Sequence, residues 1–295
     1  MQPLISIQIL NWNRAEETQR AIASALDQSY NNIEVILVDN GSTDNSIEIT
    51  SKNYPEIKIV ELDKNYGCPE GRNRGLKYCN GEYIFYLDND GVLHRDAVLN
   101  AYKSISENEN VGIIGGVIYD FMYQYEIDTK CLIKNNIKYY YNNFSGGICL
   151  HDKRIYKKTG YYPSHFIYGA EELFLSLKAI QFGYKIIIDE SVILWHKKSI
   201  VARNHVKEIL HSYYNKLYIA IALYPVYQAI KFTLFFSLMY TIYSIRDKIF
   251  KEFLFSFPKN YLKTLYLGAK HRDAVALKTY KLFKRKYQVC NNVDN

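Results

Sequence analysis

Residues 83–93 read YIFYLDNDGVL, an apolar run that delivers two carboxylates, Asp88 and Asp90, to one spot. A strand covered on both faces shows a continuous apolar run rather than alternation, so residues 83–87 read as a buried parallel strand. The two acids then stand at its carboxyl end. In open α/β sheets ligands bind along that rim, and acids one residue apart there suit a hard divalent cation held against phosphate oxygens. An isolated Asp-x-Asp also reads as a polar loop capping the next helix. The preceding strands have to decide between the two.

Residues 4–10 form the first strand candidate, which ends in Asn11, Trp12 and Asn13 before a helix signal over residues 15–26. A second strand, 33–38, runs into Asp39-Asn40-Gly41-Ser42-Thr43-Asp44, a turn followed by a helix cap with Ser42 or Thr43 at the cap and Asp44 in the first turn. Residues 57–62 make a third strand, backed by a helix over 71–78. Strand and helix alternating at this spacing mean βαβ units and a parallel sheet.

The loops between these elements carry the chemistry. A carboxylate at Asp39 can accept from a nucleobase imide or a ribose hydroxyl, or it can close an Asx-turn. Trp12 offers a flat face to a base, or a core ring. Between Asn65 and Gly75 the glycines permit close backbone approach, and Arg72 and Arg74 can meet a pyrophosphate or base, or simply form a solvated helix face. No G-x-G-x-x-G follows the first strand and no G-x-x-x-x-G-K-[ST] occurs, which removes the main support for dinucleotide-binding and P-loop readings.

Composition narrows the class further. With 295 residues, 48% hydrophobic and 23% charged, the chain can hold one large α/β domain plus an appendage and bury a real core. Twenty-nine tyrosines place hydroxyls on much of the apolar surface. The net charge of +7 is concentrated: residues 246–286 carry twelve Lys/Arg against three acids. Five cysteines without a C-x-x-C pair argue against a disulfide framework or structural zinc and for a reducing compartment. The start, MQPLISIQIL, enters a strand pattern directly, so a cytoplasmic location is expected.

Four pieces in order, Asn11-Trp12-Asn13, residues 38–44, residues 65–76 and Asp88-Asn89-Asp90, together resemble the nucleotide-sugar-binding half of family 2 glycosyltransferases with the GT-A fold. The resemblance implies a mainly parallel sheet flanked by helices. By it, Leu10 and Trp12 line the nucleoside pocket, and Asp39 and Arg72 hold the pyrimidine of a UDP- or dTDP-sugar. Asp88 contacts the ribose side, Asn89 belongs to the donor-binding set, and Asp90 ligates Mn2+ or Mg2+.

Further along, residues 97–107 read as a helix, 111–118 as a buried strand, and the tyrosine-rich stretch 119–143 as an excursion over the site that helps choose the acceptor. Phe144-Ser145-Gly146-Gly147 is a tight turn before a strand at 148–151; similar turns in the family back the sugar pocket, which brings in Gly147. Residues 168–178 resemble the family's Gly-x-Glu-Asp segment, with Glu171 at the donor and Glu172 as catalytic base where the family usually has aspartate. They are placed at the start of a helix that packs inward through Leu173, Leu177 and Ile180. Two acids offsetting a helix N-terminus is the plainer account. Strands at 185–189 and 192–195 follow, and the second delivers His196, which by the resemblance joins Asp90 on the metal or diphosphate, or else is structural. Lys197 and Lys198 face phosphate or water.

Residues 217–245 are almost wholly apolar or tyrosine, interrupted by Pro225, Gln228 and Lys231. A membrane span needs about twenty consecutive apolar residues, so two helices hinged near Pro225 fit better. The basic segment after them, with Phe250, Phe253, Leu254, Phe255 and Phe257 among lysines, has the make-up of a helix lying in the interface of an anionic membrane. Packing on the catalytic domain, or a homodimer through these helices, is the competing reading. Nucleic acid is not expected, because no recognition motif accompanies the charge.

The expected organisation is a GT-A catalytic domain over 1–200, with a nucleotide-binding half (1–118) and an acceptor half (119–200), and a helical basic region over 201–295. The expected function is inverting, metal-dependent sugar transfer to a hydroxyl of a glycan or lipid-linked glycan precursor, peripheral on the inner face of the cell membrane. A sugar nucleotidyltransferase is one rival, although it needs a glycine-rich basic loop after the first strand and residues 11–17 contain no glycine. A non-catalytic scaffold is the other; Asp88, Asp90, Glu172 and His196 count against it.

Overall fold

The computed structural model describes residues 2–120, 137–196, 204–285 and 288–289. Among them runs one ten-stranded sheet. Its first half is parallel: β1 (Ile5–Asn11) lies between β2 (Ile33–Asp39) and β4 (Tyr83–Asp88), and β3 (Lys58–Glu61) forms the edge beyond β2. β1 and β4 show the continuous burial that a strand covered on both faces requires. The connecting helices are α1 (Ala15–Leu26), α2 (Ser46–Asn53) and α3 (Cys68–Leu76). Ile5, Ile7 and Ile9 pack with Ala21, Ile22 and Ala25 of α1, each fully buried side chain of isoleucine size contributing about 1.5–3 kcal/mol.

Beyond β4 the sheet becomes mixed. β8 (Ile148–Asp152) is antiparallel to both β4 and β6 (Val111–Asp120), while β6 and β9 (Lys185–His196) are parallel. On the edge of β9 away from β6, β5 (Gly91–Leu93) pairs antiparallel with its C-terminal end and β7 (Lys138–Tyr140) antiparallel with its N-terminal half. α4 (Ala97–Ser106) packs on this half, and α5 (Glu171–Gln181) follows the loop after β8.

Several expectations need correction. Residues 185–195 are one strand, not two; β9 bulges where the buried Asp189 accepts from the Ser191 amide at 2.8 Å. The cap of α2 is neither Ser42 nor Thr43. The helix starts later, at Ser46, whose amide donates to Asp44 Oδ1 at 3.1 Å, and Ser42 Oγ instead accepts from the Asn13 amide at 2.9 Å. α3 starts three residues earlier than residue 71, because Pro69 sits in its first turn and Gly67, with φ +83°, supplies the reversal before it. Of the stretch 119–143, residues 119–120 end β6 and 138–140 form β7, while 121–136 lie outside the described residues, as do Lys197 and Lys198.

The C-terminal helices are α6 (His205–Leu223), α7 (Val226–Arg246), α8 (Phe250–Lys270) and α9 (Leu277–Phe283). Pro225 caps α7 and separates it from α6. This region is fused to the sheet half by a shared core. Leu177 of α5 and Phe166 pack with Tyr218, Ile219 and Leu223 of α6 and with Val275 and Phe283. Lys178 adds an ion pair to Asp273. The other side of α5, Leu175 and Ala179, is buried against the sheet. The expected stripe of Leu173, Leu177 and Ile180 does pack inward, against α6, and the helix is buried on a second side as well. No described helix is long and apolar enough to cross a membrane.

Candidate active site

Three strand ends meet at the rim of the parallel half, and Asn11 ties them together. Its Nδ2 donates to Asp39 Oδ1 at 2.9 Å, and its Oδ1 accepts from Thr18 at 2.8 Å and from Asn89 Nδ2 at 3.0 Å. Asp39 Oδ2 accepts from the Ser42 amide at 2.8 Å. Asp39 is therefore an Asx-turn acid, 1% exposed, and it does not line the cavity above it. Asn89 is likewise 6% exposed, and its amide braces β1 against the loop after β4.

That cavity has a volume of about 590 Å³, within the range of small-molecule sites. Leu10, Trp12, Asn40 and Asn65 line one part of it; Asp88, Asp90, Arg72, Gly147, Glu171 and Glu172 also line it. Trp12 is 37% exposed rather than a core ring. Arg72 does not sit with Asp39. It is 3% exposed, donates from Nη2 to Asp88 Oδ1 at 2.8 Å, and rests its guanidinium 5.4 Å from the Tyr86 ring centre. Beneath it the Tyr86 and Tyr156 hydroxyls are 2.8 Å apart and His151 Nδ1 lies 2.7 Å from the latter, a buried network that holds the ring in place.

The glycines of the turn before β8 have a steric cause. A Cβ on Gly147 would lie 2.2 Å from Asp88 Oδ2, and one on Gly146 would lie 2.5 Å from Glu172 Oε1 and 2.6 Å from Arg72 Nη1. The charged groups press directly on this backbone. Arg72 Nη1 and Glu171 Oε2 are both buried without a hydrogen-bond partner among the described residues, which leaves a donor and an acceptor for a bound molecule.

Glu171 and Glu172 open α5, and Ala170 before them holds φ +68°. A left-handed alanine costs roughly 1–2 kcal/mol, and the turn it makes aims both acids. Burial, then Glu171, pushes the Glu172 carboxyl up to about 8, with Arg72 opposing. Burial also raises Glu171.

Asp90 and His196 come together although 106 positions apart, because Gly91 on β5 is in register with His196 on β9. His196 Nε2 lies 2.9 Å from Asp90 Oδ1, and Arg14 Nη1 donates to Asp90 Oδ2 at 2.8 Å. Asp90 and Arg14 line the cavity; His196 stands behind Asp90. Among the described residues no three His, Cys, Asp or Glu side chains form a metal cluster.

Sequence reasoning missed Arg14, whose only signal is a basic residue in the loop after β1, and it missed one face of α6. Asn204, Lys207, Glu208 and His211 line the cavity, and Asn215 on that face donates to the carbonyls of Tyr168 (3.1 Å) and Gly169 (2.8 Å). Burial and then Lys207 lower the His211 imidazole from its ordinary value.

Comparisons with known proteins agree on the fold. Poly-beta-1,6-N-acetyl-D-glucosamine synthase of Staphylococcus epidermidis is 27% identical over 205 residues, covering 65% of this chain and 49% of that protein. The chain thus spans about half the length of this relative. A mannosyltransferase of Pyrobaculum calidifontis, solved in complex with GDP-Man and Mn2+, matches 96% of this chain and 79% of its own with TM-score 0.59 and 17% identity. GalNAc-T7, solved with UDP, GalNAc and Mn2+, matches 77% of this chain and 49% of its own with TM-score 0.62 and 14% identity. These likenesses give the GT-A fold, and the family model for glycosyl transferase family 2 matches residues 6–162. By sheet order and by that match over more than half its length, the chain belongs to glycosyl transferase family 2.

Proposed function

We propose that this protein is an inverting glycosyltransferase that moves a sugar from a UDP- or dTDP-sugar to a hydroxyl of a cell-surface glycan precursor, working as a peripheral protein on the inner face of the cell membrane. The observation that carries the reading is the convergence of Asp88, Asp90, Arg72, Gly147, Glu171 and Glu172 on one cavity. The base rests on Leu10 and Trp12, with Asp39 shaping the loop beneath. Asp88 and the unpartnered atoms of Arg72 and Glu171 meet ribose and sugar hydroxyls.

Glu172 takes the acceptor's proton as its oxygen attacks the anomeric carbon, and the bond to the diphosphate breaks on the opposite face. A carboxyl raised toward the working pH is the stronger base for that transfer. Inversion in one displacement needs the base on the side away from the leaving group. Arg14 and Lys207 supply positive charge to the phosphates. The donor set also fits a cation. Asp90 and His196 present a carboxylate and an imidazole nitrogen side by side, and this pair suits Mn2+ better than Mg2+, which favours oxygen ligands. Bound there, such an ion neutralises charge building on the leaving diphosphate.

The rival nucleotidyltransferase and scaffold readings are separated by products. Incubation with a panel of nucleotide sugars and glycan acceptors, with Mn2+ or Mg2+, is expected to release nucleoside diphosphate and to give a lengthened acceptor. Release of pyrophosphate would favour the first rival. No thermal shift with any nucleotide sugar would favour the second, since a ligand at a hundred times its Kd adds about 2.7 kcal/mol of stability.

A further inference from the structure

Besides the face that packs on Leu177 and Phe166, α6 has two others. One lines the cavity with Lys207, Glu208 and His211. The other carries Tyr213, Tyr214 and Leu217, which pack with Phe253 of α8 and with Phe236 and Tyr240 of α7. Hydrogen bonds fix this stack: Tyr240 donates to the Ile209 carbonyl at 2.8 Å, Tyr213 to Ser237 at 3.1 Å, and the Tyr214 and Ser256 hydroxyls meet at 2.8 Å.

Opposite those packed positions both helices of the hairpin present ridges to solvent. On α7 the ridge is Tyr227, Lys231, Leu234, Leu238, Ile242 and Ile245, all exposed, with Leu234 at 69%. On α8 it is Lys251, Phe255, Lys259, Leu262, Tyr266 and Lys270, all exposed, with Phe255 at 88%. Spacings of three and four keep each set on one helix face. α7 contains no acid, and α8 contains one, Glu252, in its first turn.

We propose that this outer face of the α7–α8 hairpin docks on an anionic lipid surface. Lysines alternating with aromatic and aliphatic side chains match a bilayer interface, where the apolar groups enter the acyl boundary and the lysine stems reach back to phosphates. A second copy of the chain is a poorer occupant. A two-fold contact sets a patch against itself, which brings lysine ridges together with no carboxylates among the ridge positions to offset them. Neither helix crosses the bilayer; α7, at about 30 Å long, lies along it. The docked hairpin holds the α6 wall of the cavity one helix layer from the lipid, within reach of an acceptor carried in the membrane. The docking deepens the membrane placement given with the proposed function and rests on it, whereas only that consequence needs the transferase activity.

Sedimentation of the full chain with vesicles tests it, with no nucleotide present, so that it fails or succeeds independently of the transferase reading. Binding is expected to phosphatidylcholine vesicles containing phosphatidylglycerol and not to phosphatidylcholine alone. Replacing Lys251, Lys259 and Lys270 together by glutamine should weaken partitioning on the order of a hundredfold. Phe255→Ser with Leu262→Ser should weaken it by at least about tenfold. The lysine substitutions touch only exposed side chains, so that arm stands even if the apolar variant melts early. Equal binding to both vesicle types, no binding to either, or a dimer by light scattering that the apolar substitutions dissolve would each overturn the proposal.

Discussion

The cavity and the outer face of the hairpin break the usual rules of burial in opposite directions. Around the cavity Arg72, Glu171 and Asp90 are 3%, 3% and 5% exposed, charged groups packed where apolar ones are normally found. On α7 and α8, Phe255 and Leu234 stand in the open. Buried charge has to be matched group by group, so each substitution there disturbs its neighbours. An exposed apolar ridge contributes little to the isolated fold and can be altered without cost to it. The first region is constrained by internal geometry and the second by what lies outside the chain.

The sharpest break is expected at Gly147. An added methyl displaces Asp88, so Gly147→Ala should lower nucleotide-sugar affinity by at least about a hundredfold, read by titration calorimetry, a loss of two or more charge-assisted contacts. Next comes the seam joining the two regions. Leu177→Ala opens a void between α5 and α6 and should cost about 2–5 kcal/mol in urea unfolding. A smaller and pH-dependent effect marks the buried acid. Because the fold raises Glu172, its protonated form stabilises the protein fully below the usual carboxylate range, and that contribution is lost as pH rises toward about 8. Glu172→Gln should therefore melt higher than the parent at pH 8 and no higher at pH 4. The smallest effect belongs to the ridge: Leu238→Ser should change stability in solution by less than about 0.5 kcal/mol.

Much of the first region could be read from the chain because its chemistry is local. Continuous apolar runs ending in Asn11, Asp39 and Asp88 place those residues at strand ends, and the sheet then gathers them. The partnership of Asp90 with His196 depends on the register of β5 on β9, which no local pattern encodes; only the resemblance suggested it. Arg72, paired by the resemblance with Asp39, lies in the structure against Asp88 and Tyr86, a contact across the sheet that no local pattern encodes. The α6 face went unread for another reason. Lys207 and His211 look like any polar helix surface until Asn215 pins that face to the Tyr168–Gly169 turn just before Glu171 and Glu172.

On the proposed mechanism the acids gathered in the cavity act on one bound sugar nucleotide, with Glu172 as base. The direct measurement pairs titration of a donor sugar into Glu172→Gln with its transfer rate in the presence of Mn2+. Donor affinity within about twofold of the parent and transfer reduced by on the order of a thousandfold are predicted. Weakened donor binding with transfer falling only in proportion would contradict it and make Glu172 a structural acid.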